Sequence, residues 1–331
     1  MYDSKNIQYL NELSYNYWKA QALFVAVDMG LFTLLEGGGM GCGRISRQLR
    51  TNPRATEMLL NALVSLNLLR KVKSIYRNTV ISNRYLVKGK PHYQGDRIHH
   101  FHNLWDYWSR LNVAVKTGKS TAYDDAGKDV DERRLKEFIE AMHNFGIVQV
   151  EELHHKLDIK RYHRLLDLGG GQGTYAVGFA EKNPGMTAVV FDLPDVIKIA
   201  KKYIKKSGLK GQVSTQAGDC LKDDLGKGLY DVVFVSNLLH IYKPIENQRI
   251  LKKCWYSLKK GGIVVVQEFI LNPSKTKPLF STLFSLNMLI GTNGGSSYTE
   301  REMKDWLKKT GFKNIKKMKL SMDSDLIVGY K

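Results

Sequence analysis

Leu165-Leu166-Asp167-Leu168-Gly169-Gly170-Gly171-Gln172-Gly173 decides how the rest of the 331-residue chain is read. Apolar residues around a single acid predict a buried strand, the crowd of glycines a tight turn, and Thr174 to Lys182 a helix. Such a turn brings the backbone close to a nucleotide-like ligand, with a helix N-terminus behind it. Asp167 narrows the ligand. A fixed carboxylate repels the pyrophosphate of a dinucleotide but favours a sulfonium and an ammonium. The turn is therefore expected to take S-adenosylmethionine (SAM), with Asp167, Gly169 and Gly171 around it.

The segments that follow repeat the pattern. Thr187 to Asp192 reads as a second buried strand ending in an acid, placed to accept from the hydroxyls of a ribose. Gln212 to Gln216 leads to Gly218-Asp219, where a carboxylate could accept from the exocyclic amine of adenine. Tyr230 to Val235 runs into Ser236-Asn237-Leu238-Leu239-His240. Gly261-Gly262 precedes a fifth strand, Ile263 to Glu268. Phe312 to Leu320 and Leu326 to Tyr330 read as a closing hairpin. From Arg161 onward the expected class is α/β, a Rossmann-like parallel sheet with its ligand at the switch point beyond the strand ends.

Residues 1–96 read as a separate helical domain. Ala20, Leu23, Phe24, Val27, Leu31, Leu34 and Leu35 recur at helical spacing. Thr51-Asn52-Pro53 starts a helix whose buried face is Leu59, Leu60, Leu63, Val64 and Leu66. Lys71 to Val80 alternates like a hairpin. Helix, turn, helix and wing give a winged-helix pattern. Its candidate recognition helix offers only Arg54, Asn61 and Asn67 among apolar residues, too little to read base edges, so dimerisation is expected instead. Residues 97–160 are expected to be a helical linker that helps wall a substrate pocket, and 161–331 the SAM-binding domain.

The net charge of +19 raises the question of nucleic acid. The surplus is spread over residues 1–100 (+8) and 161–331 (+13) and coats helix faces, as at Lys198 to Lys206. It is not interleaved with aromatics, so a solvated surface is the reading adopted. No apolar run is long enough to cross a bilayer, no signal peptide is recognised, and Cys42, Cys220 and Cys254 are too dispersed for a disulfide framework. A cytoplasmic protein is expected.

In order and spacing, these motifs resemble the SAM-dependent O-methyltransferases typified by plant caffeic acid and acetylserotonin methyltransferases. The resemblance rests on Asp167 to Gly173, Phe191-Asp192-Leu193-Pro194, Gly218-Asp219, Leu238-Leu239-His240, Gly261-Gly262 with Gln267-Glu268, Asn287-Met288-Leu289 with Gly294-Gly295, and Ala26 to Phe32 near the N-terminus. It implies a class I SAM-dependent methyltransferase domain behind a winged-helix-like dimerisation domain, a homodimer, a small-molecule acceptor, and no metal. It also implies that Gly169, Asp192, Leu193, Asp219, Cys220, Ser236 and Asn237 line the cofactor site. His240 falls where the family has its general base and Glu268 where a carboxylate orients that base.

Five positions depart from the family, Cys220 among them in place of a larger apolar residue beside adenine. His240-Ile241-Tyr242 replaces His-Asp-Trp, Ser297 stands where a second carboxylate is frequent, and Ser236 replaces a frequent lysine. Trp105, Met142, Phe145 and Met288 are expected to form a flat apolar pocket for an aromatic acceptor, with Ser297 at its edge. The cluster His99, His100, His102 lacks a cysteine and lacks i,i+4 spacing, so it is read as touching substrate or a partner chain. Competing readings stay open. A base-methylating enzyme would need an Asn/Asp-Pro-Pro-aromatic turn after the fourth strand, which is absent. A SAM-binding winged-helix regulator, or a relative repurposed for decarboxylation or hydroxylation, keeps the same fold.

Overall fold

The computed structural model describes residues 4–122 and 132–331. The chain divides into two compact units between Leu104 and Trp105. The boundary expected at residue 96 falls inside the helix Gly95–Asn103. That helix packs on the N-terminal helix Ser4–Asp28 and so belongs to the first unit. The remainder of the expected linker belongs to the second.

In the first unit, the helix Ser4–Asp28 ends at Gly30, which sits in the left-handed region, and a single turn, Leu31–Leu34, follows. Helices Cys42–Leu49 and Pro53–Ser65 come next. Asn52 caps the second by accepting Ala55 N–H at 3.1 Å, with Pro53 at the first helical position, as the sequence predicts. Strands β1 (Met40–Gly41), β2 (Leu69–Val72) and β3 (Ile75–Asn78) form a three-stranded antiparallel sheet in the order β1-β3-β2. Ala26, Leu31, Phe32, Ile45, Leu60, Leu63 and Tyr76 form its core.

The second unit is a seven-stranded sheet. Strands β4 (Arg164–Leu168), β5 (Thr187–Asp192), β6 (Val213–Ala217), β7 (Tyr230–Ser236) and β8 (Leu258–Glu268) run parallel. β9 (Lys313–Lys319) and β10 (Asp325–Tyr330) complete it as an antiparallel hairpin, giving the order β6-β5-β4-β7-β8-β10-β9. Both faces of the sheet are covered. Leu165, Val190, Phe234 and Val265 pack with helices on one side, and Leu166, Phe191, Val235 and Val266 on the other. This period-two split is why the strands read as continuous apolar runs.

Chain order reverses at β4. The path goes outward through β5 and β6, then returns to place β7 on the other flank of β4. The carboxyl ends of β4 and β7 therefore flank a crevice, where doubly wound sheets bind their ligands. Both the glycine turn and the Ser236 to His240 segment start there.

Candidate active site

The glycine turn is tied to β5 at its base, since Gly169 N–H donates to Phe191 O at 2.8 Å. Gly171 has φ of +57°, and a Cβ there would meet nothing within 4 Å. The turn is thus open on its outer side. Asp192 closes one edge, its carboxylate accepting Gly171 N–H at 2.8 Å and Leu193 N–H at 2.7 Å. Burial pushes the Asp192 carboxyl above its ordinary range, and the two N–H donors oppose that. Leu193 is half exposed beside it.

Asp167 is placed differently from the sequence reading. It is 1% exposed and lies beneath the turn, where its Oδ2 accepts Ala176 N–H at 3.2 Å. It faces the protein interior rather than the open side, because its strand position points into the buried face of the sheet. Burial pushes its carboxyl up to about 7.

Asp219 accepts Leu221 N–H at 2.9 Å and pairs with Lys222. Although burial opposes it, these partners hold its carboxyl below the usual range. Cys220, buried next door, donates to Tyr242 OH at 3.4 Å. Asn237 has φ of +51° and its buried Oδ1 has no hydrogen-bond partner among the described residues. That acceptor stands at the carboxyl end of β7 and is free to bond a ligand there. Asp192, Asp219, Asn237 and the turn are the groups that could hold an adenosyl cofactor.

Ser236 belongs to a chain of buried side-chain bonds that sequence reasoning missed. Its hydroxyl donates to Gln267 Oε1 at 3.1 Å, and Gln267 Nε2 donates to Gln149 Oε1 and to Ser324 Oγ at 3.0 Å. Tyr175 OH also donates to Gln149 Oε1, at 3.0 Å. The chain locks β7, β8 and two helices together beneath the site.

His240 sits in a single 3₁₀ turn, Leu239–Ile241, beyond β7. Its Nδ1 lies 2.8 Å from Glu268 Oε2, and its backbone N–H donates to Glu268 Oε1 at 3.2 Å. Glu268, at the end of β8, is 1% exposed. A carboxylate in its ionised form only accepts, so opposite it Nδ1 is the donor of this contact. Asn247 Nδ2 donates to Leu239 O at 2.9 Å and to Tyr242 O at 3.2 Å, fixing the turn. Gly295 closes over it: a Cβ there would lie 2.2 Å from His240 O and 2.8 Å from Ile241 O. Only glycine fits.

Around the imidazole stands an aromatic wall. Phe284 meets His240 edge-on at 4.8 Å and Phe269 stacks at 6.0 Å, with Phe280 against both phenylalanines. The sequence signal for this wall was available, since Phe280, Phe284 and Met288 recur at i,i+4 on the helix Leu279–Gly291. Met288 stands one turn beyond Phe284 on that helix and is buried. Ser297 reaches the helix too: its N–H donates to Ser285 Oγ at 3.3 Å, and its own buried Oγ has no partner among the described residues. Trp108 is bonded to this helix, its Nε1 donating to Asn287 Oδ1 at 3.0 Å, and Trp105 is partly exposed. Met142 and Phe145 lie on the helix Glu132–Ile147, which packs by Gly146 against Thr174 and Tyr175. His143 of that helix meets Thr174 Oγ1 at 2.8 Å, and burial lowers its ring to about 4.

A family model described as an O-methyltransferase domain matches residues 108–313, and one described as an O-methyltransferase dimerisation domain matches residues 11–88. The 3-hydroxy-5-methyl-1-naphthoate 3-O-methyltransferase of Streptomyces sahachiroi is 31% identical over 94% of this chain and 91% of its own. The acetylserotonin O-methyltransferase of Bos taurus is 29% identical over 93% and 92%. The crystal structure of human N-acetylserotonin methyltransferase in complex with SAM superposes with a TM-score of 0.91 at 27% identity, covering 100% of this chain and 99% of that one.

Proposed function

This chain belongs to the O-methyltransferases that carry a dimerisation domain, and on that footing we propose that it methylates a hydroxyl of a small aromatic or heteroaromatic molecule. SAM is the cofactor, and it supplies a methyl carbon made electrophilic by the sulfonium. The observation that carries the reading is the buried His240–Glu268 pair at 2.8 Å, set in an aromatic wall beside the switch-point crevice.

The chain's own residues do three things. The glycine turn with Asp192, Asp219 and Asn237 holds the adenosyl group. Phe269, Phe280 and Phe284 offer flat apolar surface that excludes water and stacks an aromatic acceptor. His240 Nε2 takes the acceptor's hydroxyl proton as the oxygen attacks, and Glu268 stabilises the imidazolium that results. Ser297 supplies a neutral hydroxyl where a second acid would add charge, so the whole electrostatic task falls to Glu268.

The first unit is read as the pairing module of a homodimer and not as a DNA reader. Only Ala26 of the helix Ser4–Asp28 is buried within the chain, while Leu10, Tyr17 and Trp18 are at least half exposed. Among the described residues, no helix is long and apolar enough to cross a membrane. The three free cysteines suit a reducing, cytoplasmic setting.

The test is transfer of label from methyl-labelled SAM to a panel of hydroxylated aromatics, with His240→Ala alongside. Turnover should fall by about 10²–10⁴-fold while affinity for S-adenosylhomocysteine (SAH) is retained. Unchanged turnover at saturating acceptor would remove His240 from the mechanism.

A further inference from the structure

We propose that Asp28, His99 and His102 form a divalent-metal site of the zinc class on the first unit. Asp28 is the last residue of the helix Ser4–Asp28, and the two histidines occupy one face of the helix Gly95–Asn103. Each imidazole turns Nδ1 toward a different oxygen of the one carboxylate, His99 at 2.9 Å from Oδ1 and His102 at 2.7 Å from Oδ2. One ligand atom from each of the three residues lies within 4.8 Å of the others. Among the described residues, no other trio of His, Cys, Asp or Glu converges in this way.

The donor set selects the ion. Two imidazoles and one carboxylate suit zinc and its neighbours, whereas magnesium and calcium call for oxygen throughout. Ligands about 2.0–2.1 Å from a tetrahedral zinc stand roughly 3.3 Å apart. The two nitrogens meet different oxygens of the carboxylate, so a tetrahedral ion would take one of these oxygens and the imidazole on the other would shift toward it, the three ligand atoms lying within 4.8 Å of one another. The side chains are 29% exposed at Asp28, 37% at His99 and 31% at His102, which leaves water access to the ion's fourth position. Phe24 stacks on His102 at 5.1 Å and restrains that ring. A bound ion would join two helices across 71 and 74 residues of chain. The histidine run by itself lacks the spacing of a metal site, and the third ligand, Asp28, comes from a distant helix.

The experiment uses the full-length chain without a histidine tag, stripped with chelator and dialysed. Zn²⁺ is titrated calorimetrically and Co²⁺ is followed by its visible absorption. The expected result is one saturable equivalent per chain with a tetrahedral Co²⁺ spectrum. Asp28→Asn and His102→Gln should each weaken Zn²⁺ by at least about tenfold, a loss seen even when supporting groups are removed from metal sites. SAH affinity, measured in the same samples, reports folding of the second unit, and circular dichroism reports folding of the whole. No uptake by the intact chain overturns the proposal. So does uptake that both folded variants retain unchanged, which would assign it to other histidines.

Discussion

Glu268→Gln is the most searching single substitution, because it alters only which groups can donate. In the wild type three N–H groups converge on the carboxylate: His240 N at 3.2 Å, His240 Nδ1 at 2.8 Å and Phe269 N at 3.4 Å. A glutamine offers one acceptor and one donor in the same space. If its oxygen faces the backbone N–H of His240, its NH₂ faces Nδ1, which must then accept, so the ring proton moves to Nε2 and the base is lost. The opposite orientation keeps the tautomer but sets NH₂ against a buried backbone N–H. Each orientation leaves one backbone donor unmade, Phe269 N–H in the first and His240 N–H in the second, at about 1–3 kcal/mol, so the inactive orientation is populated beside the active one. The variant also loses the charge that stabilises the imidazolium, worth about 1.5–3 kcal/mol for a hydrogen bond to an ion. The lost charge and the inactive fraction together give a fall in kcat of about 10–10³-fold.

The assay is kcat at saturating acceptor and SAM, with SAH affinity measured by calorimetry. Glu268 is buried, and none of the groups assigned to the adenosyl cofactor bonds to it, so that affinity should stay the same. An acceptor whose hydroxyl is already ionised at the assay pH needs no base, and with it the deficit should shrink sharply. A loss of less than about tenfold, or an equal loss for ionised and neutral acceptors, would refute the tautomer argument.

Two further substitutions probe the frame of the site. Gly295→Ala forces a methyl group onto His240 O and Ile241 O, and a displacement of the base turn on the order of 1 Å should lower kcat about 10²-fold with SAH binding intact. Asp167 tests pH dependence. Its carboxyl is raised to about 7 in the fold against an ordinary value near 3.8, so between those values the folded state holds a proton the unfolded state has released. Wild-type stability should therefore fall as pH rises from about 4 to 7, by a few kcal/mol at most. Denaturant titrations of Asp167→Asn across that range should show a flatter profile.

The sheet was legible because its signals are local. Apolar runs with an acid or polar residue at each carboxyl end announced β4 to β8, and β8 began earlier than expected only because Lys259-Lys260-Gly261-Gly262 carries no apolar signal. The pair His240 and Glu268 was legible through topology, since adjacent parallel strands bring their ends together. Asp167 lies deeper than the reading of the turn suggests, and the reason is instructive. Strand alternation, already visible in the sequence, sends the residue between Leu166 and Leu168 to the opposite face from both, under the helix and away from the open side of the turn. The network joining Gln149, Gln267 and Ser324 was not legible, because side chains 118 and 57 positions apart meet only after the fold exists.

The altered residues after His240 follow from the same packing. Where the family resemblance expects an acid and a tryptophan, Ile241 is exposed and Tyr242 turns its ring toward Cys220 beside Asp219. Tyr298 OH donates to Tyr242 O at 2.5 Å, and Asn247 holds both ends of the turn. The turn is thus fixed through its backbone carbonyls, which any side chain carries. That explains how the base can keep its geometry while its neighbours change, and Gly295 tolerates no substitution because it packs on the two carbonyls in between, His240 O and Ile241 O.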